Sequence, residues 1–218
     1  MKSPPLKAWS GPAVTPTVPD LDGCRSGRPD SVEQLFRAHR EMVERMITRL
    51  VGPSPDFDDL VQSTFVEVIR NLSRFRGEAK LSTWIGGIAV HVAQHHLRAG
   101  KIRRHVPLEL VAGGEPQGAA ALIDPREGAE QRLDGRRLAM RLHTLLDRIT
   151  AKKRVALLLY VMEDRSVEEI AALMKTTQTA TRSRVFFARR ELRKLIASDV
   201  ELRDWADALL KQDVGGNA

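Results

Sequence analysis

From Ser31 onward the apolar residues of this chain recur every three to four positions, the period of helices with one buried face. Leu35, Phe36, Met42, Val43, Met46, Ile47 and Leu50 predict a first helix that ends at Gly52-Pro53. Leu60, Val61, Phe65, Val68, Ile69 and Leu72 predict a second after Asp56, with Asp56, Asp58 and Asp59 in its first turn, where carboxylates complement the helix dipole. After the polar turn 74–80, Ser82 is placed to cap a third helix that buries Ile85, Ile88, Ala89, Val92 and Leu97. The period then lapses and resumes with Leu138, Leu142, Leu145, Leu146 and Ile149, followed by Val155, Leu158, Leu159 and Met162. Two short amphipathic stretches come next: Val167, Ile170, Ala171 and Met174, then Val185, Ala188 and Leu192 behind a capping Thr177. Nothing alternates with the period of a strand over a useful length. The fold class predicted is all-α: two small helical domains joined by a flexible linker, the second containing a helix-turn-helix.

Composition sharpens the boundaries. Six of the eleven prolines fall in residues 1–30, which reads as a disordered leader. The domains predicted are 31–104 and 136–197, with a Gly/Pro-containing acidic linker at 105–135 and a C-terminal amphipathic helix and tail at 198–218. Formal charge divides the same way: +4 for 31–104, −4 for 105–135, +9 for 136–197 and −3 for 198–218, within a total of +7. Two basic modules flank an acidic connector, which favours polyanions and nucleic acid first among them. No apolar run approaches the roughly 20 residues that span a bilayer, and the N-terminus has no signal-peptide core, so membrane insertion is not expected and the location predicted is cytoplasmic. Cys24, the single cysteine, excludes an internal disulfide and a cysteine-based zinc site.

Candidate chemistry lies on the polar faces. The second helix of the pair offers Gln178 and Arg182, whose amide and guanidinium groups make bidentate contacts to base edges, and Thr177, Thr179, Ser183, Arg184 and Arg189 for phosphates. A solvated basic face on a packing motif fits the same residues. Asp58, Asp59, Gln62 and Glu67 form a polar, partly acidic face in a basic module, suited to a protein partner rather than DNA; a solvated face with dipole-complementing aspartates is the alternative. Trp84 fits either core packing or stacking on an unpaired base, and Arg98, Lys101, Arg103 and Arg104 follow as phosphate ligands. His91 and His95, four apart beside His96, have a spacing that binds zinc, but no Glu completes an H-E-x-x-H motif and no third ligand shares the face, so no metal or other cofactor is expected. No catalytic constellation assembles, and the chain is not expected to be an enzyme.

Two pairs of segments together carry a family resemblance. D-D-L-V-Q-S-T-F-V-E-V at 58–68 with F-R-G-E-A-K-L-S-T-W-I at 75–85, and E-E-I-A-A-L-M at 168–174 with R-S-R-V-F-F-A-R-R at 182–190, resemble the two domains of an extracytoplasmic-function sigma factor over about residues 31–197. The resemblance implies a promoter-specificity subunit that binds core RNA polymerase through Asp58, Asp59, Leu60, Gln62, Phe65 and Glu67. It implies recognition of a −10 element and melting through Trp84, His91, His95 and the basic run, recognition of a −35 element through the helix-turn-helix, and an anti-sigma factor as a further partner. Four positions depart from the family pattern. Lys175 stands where the turn usually has glycine, His91 and His95 replace Asn and Asp, and Thr181 replaces an aliphatic core residue. A stand-alone helix-turn-helix regulator is the competing reading, and it gives the acidic face at 58–67 no role.

Overall fold

The computed structural model describes residues 20–103, 129–163 and 165–203. Its described residues form helices and connecting turns, with no strand among them. α1 (Leu21–Arg25) and α2 (Pro29–Val51) precede α3 (Phe57–Asn71), a 3₁₀ turn (Leu72–Arg74) and α4 (Leu81–Arg103). The second module holds α5 (Ala129–Leu146), α6 (Ala151–Val161), α7 (Val167–Leu173) and α8 (Gln178–Ala197).

Local chemistry explains most boundaries. Pro29 opens α2 at a position where its missing N–H costs nothing, and Gly52, at φ +82°, terminates it. Ser166 and Glu169 form a reciprocal capping box at the start of α7: the Glu169 amide donates to Ser166 Oγ (3.1 Å) and the Ser166 amide to Glu169 Oε2 (2.9 Å). That backbone bond, more than the neighbouring Arg165, holds the Glu169 carboxyl below its ordinary pKa. Thr177 caps α8 by accepting from the Ala180 amide at 3.2 Å, as its place in the sequence predicts. Ser82 does not cap α4: the helix already begins at Leu81, and the Trp84 amide bonds the Lys80 carbonyl.

α2, α3 and α4 pack against one another around Val43, Ile47, Val68, Leu72, Ile85 and Ala89, while α6, α7 and α8 enclose Val155, Leu159, Ile170, Val185 and Ala188. Thr181 is fully buried among these, its hydroxyl satisfied by donation to the Thr177 carbonyl (3.1 Å), so a polar residue is accommodated at an aliphatic position. Lys175 adopts φ +47°, the one non-glycine left-handed backbone among the described residues.

The modules dock. Arg154 of α6, 1% exposed, donates to the carbonyls of Leu50 (3.1 Å) and Val51 (2.6 Å) at the end of α2, pairs with Asp147, and contacts His143 Nδ1 at 3.1 Å. Arg49 reaches across to Glu163. Leu173 of α7 lies against Gly86 and Gly87 of α4, where an added Cβ at either would come within 3.9 Å of its side chain. One continuous apolar core therefore runs through both modules.

Two expected boundaries move. Residues 20–30, read as the end of a leader, carry α1 and the start of α2, because Cys24 is buried and Asp20 caps α1 by accepting from the Gly23 amide (2.9 Å). α5 begins at Ala129, inside the segment read as linker. At the C-terminus residues 200–203 form a helical turn pinned to α5: Arg141 Nε bonds both oxygens of Asp199 at 2.8 Å, its Nη1 reaches Glu201 at 2.9 Å, and Leu202 is buried. Residues 1–19 and 104–128 and the tail beyond 203, including Arg104, lie outside the described residues.

Candidate nucleic-acid and protein interfaces

α8 presents its first turns to solvent. Thr181, Val185 and Ala188 face inward, which leaves Thr177, Gln178, Thr179, Arg182 and Ser183 exposed at the N-terminal end, where unpaired amides and the helix dipole favour a phosphate. Arg184 is half-buried. Arg189 is exposed but lies over the Tyr160 ring, 4.8 Å from its centroid, so α6 holds its guanidinium in place. Phe186, 62% exposed, was not foreseen. It sits four and seven residues from Arg182 or Thr179 on the outward face, and packs edge-on to the exposed Phe187 at 5.4 Å. The outward spacing of Thr179, Ser183 and Phe186 is the sequence signal that identifies it.

In the first module Trp84 stands in the first turn of α4, half-buried, with its ring 5.3 Å from that of Phe75. The loop 76–80 before it is exposed throughout and turns at Gly77, φ +76°. The Trp84 ring thus packs in part, against Phe75, and stays partly exposed. His91, His95 and Arg98 project from the exposed side of α4, and Arg98 Nε also donates to the Gln94 carbonyl of its own helix (3.2 Å). Lys101 and Arg103 belong to the last turn of α4. His91 and His95 line a cavity of about 930 Å³ with His96, Asp56 and Glu67. Among the described residues no three His, Cys, Asp or Glu side chains are placed to hold a metal ion.

The acidic face of α3 divides in two. Asp58, Gln62 and Phe65 line a groove between α2 and α3 of about 540 Å³, floored by Val61 and Phe65 and rimmed by Arg40 and Glu44. Phe36 meets Phe65 at 4.6 Å beneath it, and Arg40 lies over Phe36 while bonding Glu44 at 2.6 Å. Asp59 is exposed beside the groove. Glu67 instead turns to the histidine cavity, its carboxylate taken up by Asn71 (3.0 Å) and Arg70 (3.3 Å). Leu60 is buried and lines that cavity too, so Glu67 and Leu60 are not brought together with Asp58 and Gln62. The groove combines an apolar floor, an exposed Val66 and charged edges, the make-up of a protein-binding surface. No helix among the described residues is long and apolar enough to cross a membrane.

The chain matches the family models for sigma-70 region 2 over residues 35–102 and sigma-70 region 4 over residues 139–192. It is 30% identical over 192 residues to the ECF RNA polymerase sigma factor SigE of Mycolicibacterium smegmatis, covering 87% of this chain and 71% of the relative. RNA polymerase sigma factor CarQ of Myxococcus xanthus is 30% identical over 178 residues, covering 81% of this chain and 95% of that protein. Among solved structures, the sigma factor RpoE of Bartonella quintana, in complex with the anti-sigma factor NepR, shares the fold with a TM-score of 0.52 at 20% identity, over 77% of this chain and 97% of that one. Region 2 thus coincides with the module of α2 to α4 and region 4 with that of α5 to α8. The chain belongs to the sigma-70 family, in its extracytoplasmic-function class.

Proposed function

We propose that this promoter-directing factor divides its work among the surfaces just described. The groove between α2 and α3, with Asp58 and Gln62 on its edge and Asp59 beside it, takes core RNA polymerase. Trp84 and the loop 76–80 capture an unstacked base of the −10 element, with His91, His95 and Arg98 alongside the DNA and the basic run through Lys101, Arg103 and Arg104 on phosphates. The N-terminal turns of α8 enter the major groove of the −35 element, where Gln178 and Arg182 read base edges and Thr177, Thr179, Ser183 and Arg184 set the register on the backbone. Phe186 extends the same face with an apolar group of the kind that meets thymine methyls. Arg189 serves phosphate from its seat on Tyr160.

The observation that carries this reading is the separation of two chemically different surfaces. An apolar groove edged by charges of both signs, Asp58 and Glu44 with Arg40 and Arg70, and a capped helix N-terminus carrying Gln178 and Arg182 lie on different modules, so one chain can hold a protein and DNA at once. The factor performs no reaction of its own and works in the cytoplasm, where the polymerase and DNA are. An anti-sigma protein would occupy the α2–α3 groove and so compete with polymerase. Displacement of a labelled reference sigma factor from core polymerase tests the assignment. Asp58→Lys and Gln62→Lys should weaken displacement about tenfold or more, whereas Glu67→Ala, on the other side of α3, should leave it within about twofold. Equal losses for all three would contradict the groove.

A further inference from the structure

α1 is a five-residue helix, too short to persist alone, yet it is fastened to α2 with unusual closeness. Asp20 accepts from the Gly23 amide (2.9 Å) and the Ser31 hydroxyl (3.3 Å), and pairs with Arg28. The Arg28 amide bonds the Gly23 carbonyl at 2.9 Å, closing the turn between the helices. Cys24, 1% exposed, points its thiol at the Ser31 carbonyl (3.1 Å). A Cβ on Gly23 would fall 2.2 Å from Ser31 Oγ, so the approach requires glycine there.

What this fastening delivers is Arg25. Its Nη1 is held by Asp22 at 2.9 Å, and its Nη2 donates to the Phe75 carbonyl at 3.1 Å, fifty residues along the chain. Phe75 is the point where the exposed loop 76–80 leaves the body of the module. Its amide bonds the Leu72 carbonyl (3.1 Å) and its ring packs on Trp84. The residue from which the loop departs is thus tied by its amide to the 3₁₀ turn, by its ring to α4 and by its carbonyl to α1. At its far end the loop is joined to α4 by the Lys80 carbonyl, which accepts from the Trp84 amide (3.1 Å), and between the two ends Arg76 to Glu78, at 4.0 Å, is a loose contact between exposed groups.

We propose that Arg25, orientated by Asp22, is a positioning residue for promoter opening: it anchors the Phe75 carbonyl and thereby sets the Phe75 and Trp84 rings and the start of the 76–80 loop for capture of the unstacked base. This rests on the reading that Trp84 and the loop perform that capture. α1 precedes the segment that matches region 2, and so adds to the melting apparatus an element outside that region.

The test compares Arg25→Ala, Arg25→Lys and Trp84→Ala in reconstituted holoenzyme, on a duplex promoter and on the same promoter with its −10 region pre-melted by mismatches. Arg25→Ala should slow open-complex formation on duplex, followed by permanganate reactivity, by about tenfold, the upper range of one hydrogen bond. On the pre-melted template it should come within about twofold of wild type, and its affinity for core polymerase should not change. Arg25→Lys, keeping a donor but losing the fork to Asp22, should fall between. A loss of equal size on both templates would show that Arg25 only supports the fold and would overturn the inference, as would wild-type opening by Arg25→Ala when Trp84→Ala is impaired. Wild-type opening by Trp84→Ala would instead overturn the base-capture reading beneath it.

Discussion

Acidification should loosen the joint between the two modules, and His143 sets the range over which it does so. The ring is 8% exposed, lies against Gly52 at the end of α2, and accepts a hydrogen bond on Nδ1 from Arg154 at 3.1 Å. Burial first, and the Arg154 guanidinium second, lower its pKa from 6.5 to about 4, against a smaller opposing pull from Asp147. As pH falls, the unfolded chain therefore takes up this proton before the folded one does. Stability from the neutral ring is complete above pH 6.5 and is lost as pH drops through about 4, below which both states are protonated. At roughly 1.4 kcal/mol per pH unit the whole effect is about 3 kcal/mol, of which about 2 kcal/mol is gone by pH 5. Urea denaturation of wild type and of His143→Asn at pH 7.5, 6, 5 and 4.5, followed by far-ultraviolet circular dichroism, isolates the contribution. His39, also lowered by burial, adds a change of the same sign that is common to both proteins. The stability difference between wild type and variant should shift against wild type by about 2 kcal/mol between pH 7.5 and 5. A difference that stays constant with pH would refute the neutral, arginine-bonded ring.

Other outcomes follow from single residues. Arg154→Ala should destabilise by about 3 to 5 kcal/mol, because it leaves the Leu50 and Val51 carbonyls and the Asp147 carboxylate without their buried partner; the same denaturation series measures it. Lys175→Gly should stabilise by roughly 0.5 to 1 kcal/mol by relieving a left-handed backbone, read as a higher urea midpoint at unchanged slope. Gln178→Ala and Arg182→Ala should each lower discrimination at one −35 base pair by about 1 to 3 kcal/mol, seen as relaxed preference across a promoter set mutated position by position, whereas Thr179→Ala should weaken all sequences alike.

Helix positions and the two-module plan were legible because apolar period and capping residues act locally. Val43, Ile47, Val68, Ile170 and Val185 fall where their spacing places them, and Thr177 caps α8 as its neighbours require. The Ser166–Glu169 capping box was equally readable, as a serine followed three residues later by glutamate. α1 was not, because a five-residue helix has no period to detect and its stability comes from Ser31 and Asp20, not from its own composition. Arg154 looks like one more charge in a basic run; only the buried helix-terminal carbonyls at the end of α2 explain its burial. The misplacement of Glu67 has a simpler cause. Nine residues at about 100° each set it half a turn from Asp58, so grouping the two on one face counted carboxylates without following the helix. The glycines at 86 and 87 weaken α4 in isolation and become intelligible only when Leu173 is seen against them.

Run-off transcription with bacterial core polymerase, from DNA upstream of the gene for this chain, tests most directly whether the groove on α3 and the end of α8 together direct initiation. Discrete transcripts should appear only when the chain is added, should vanish with Asp58→Lys combined with Asp59→Lys, and should lose promoter discrimination with Arg182→Ala. Absence of any transcript, together with tight binding of the chain to the same DNA without polymerase, would contradict that function and leave a regulator that reads DNA alone.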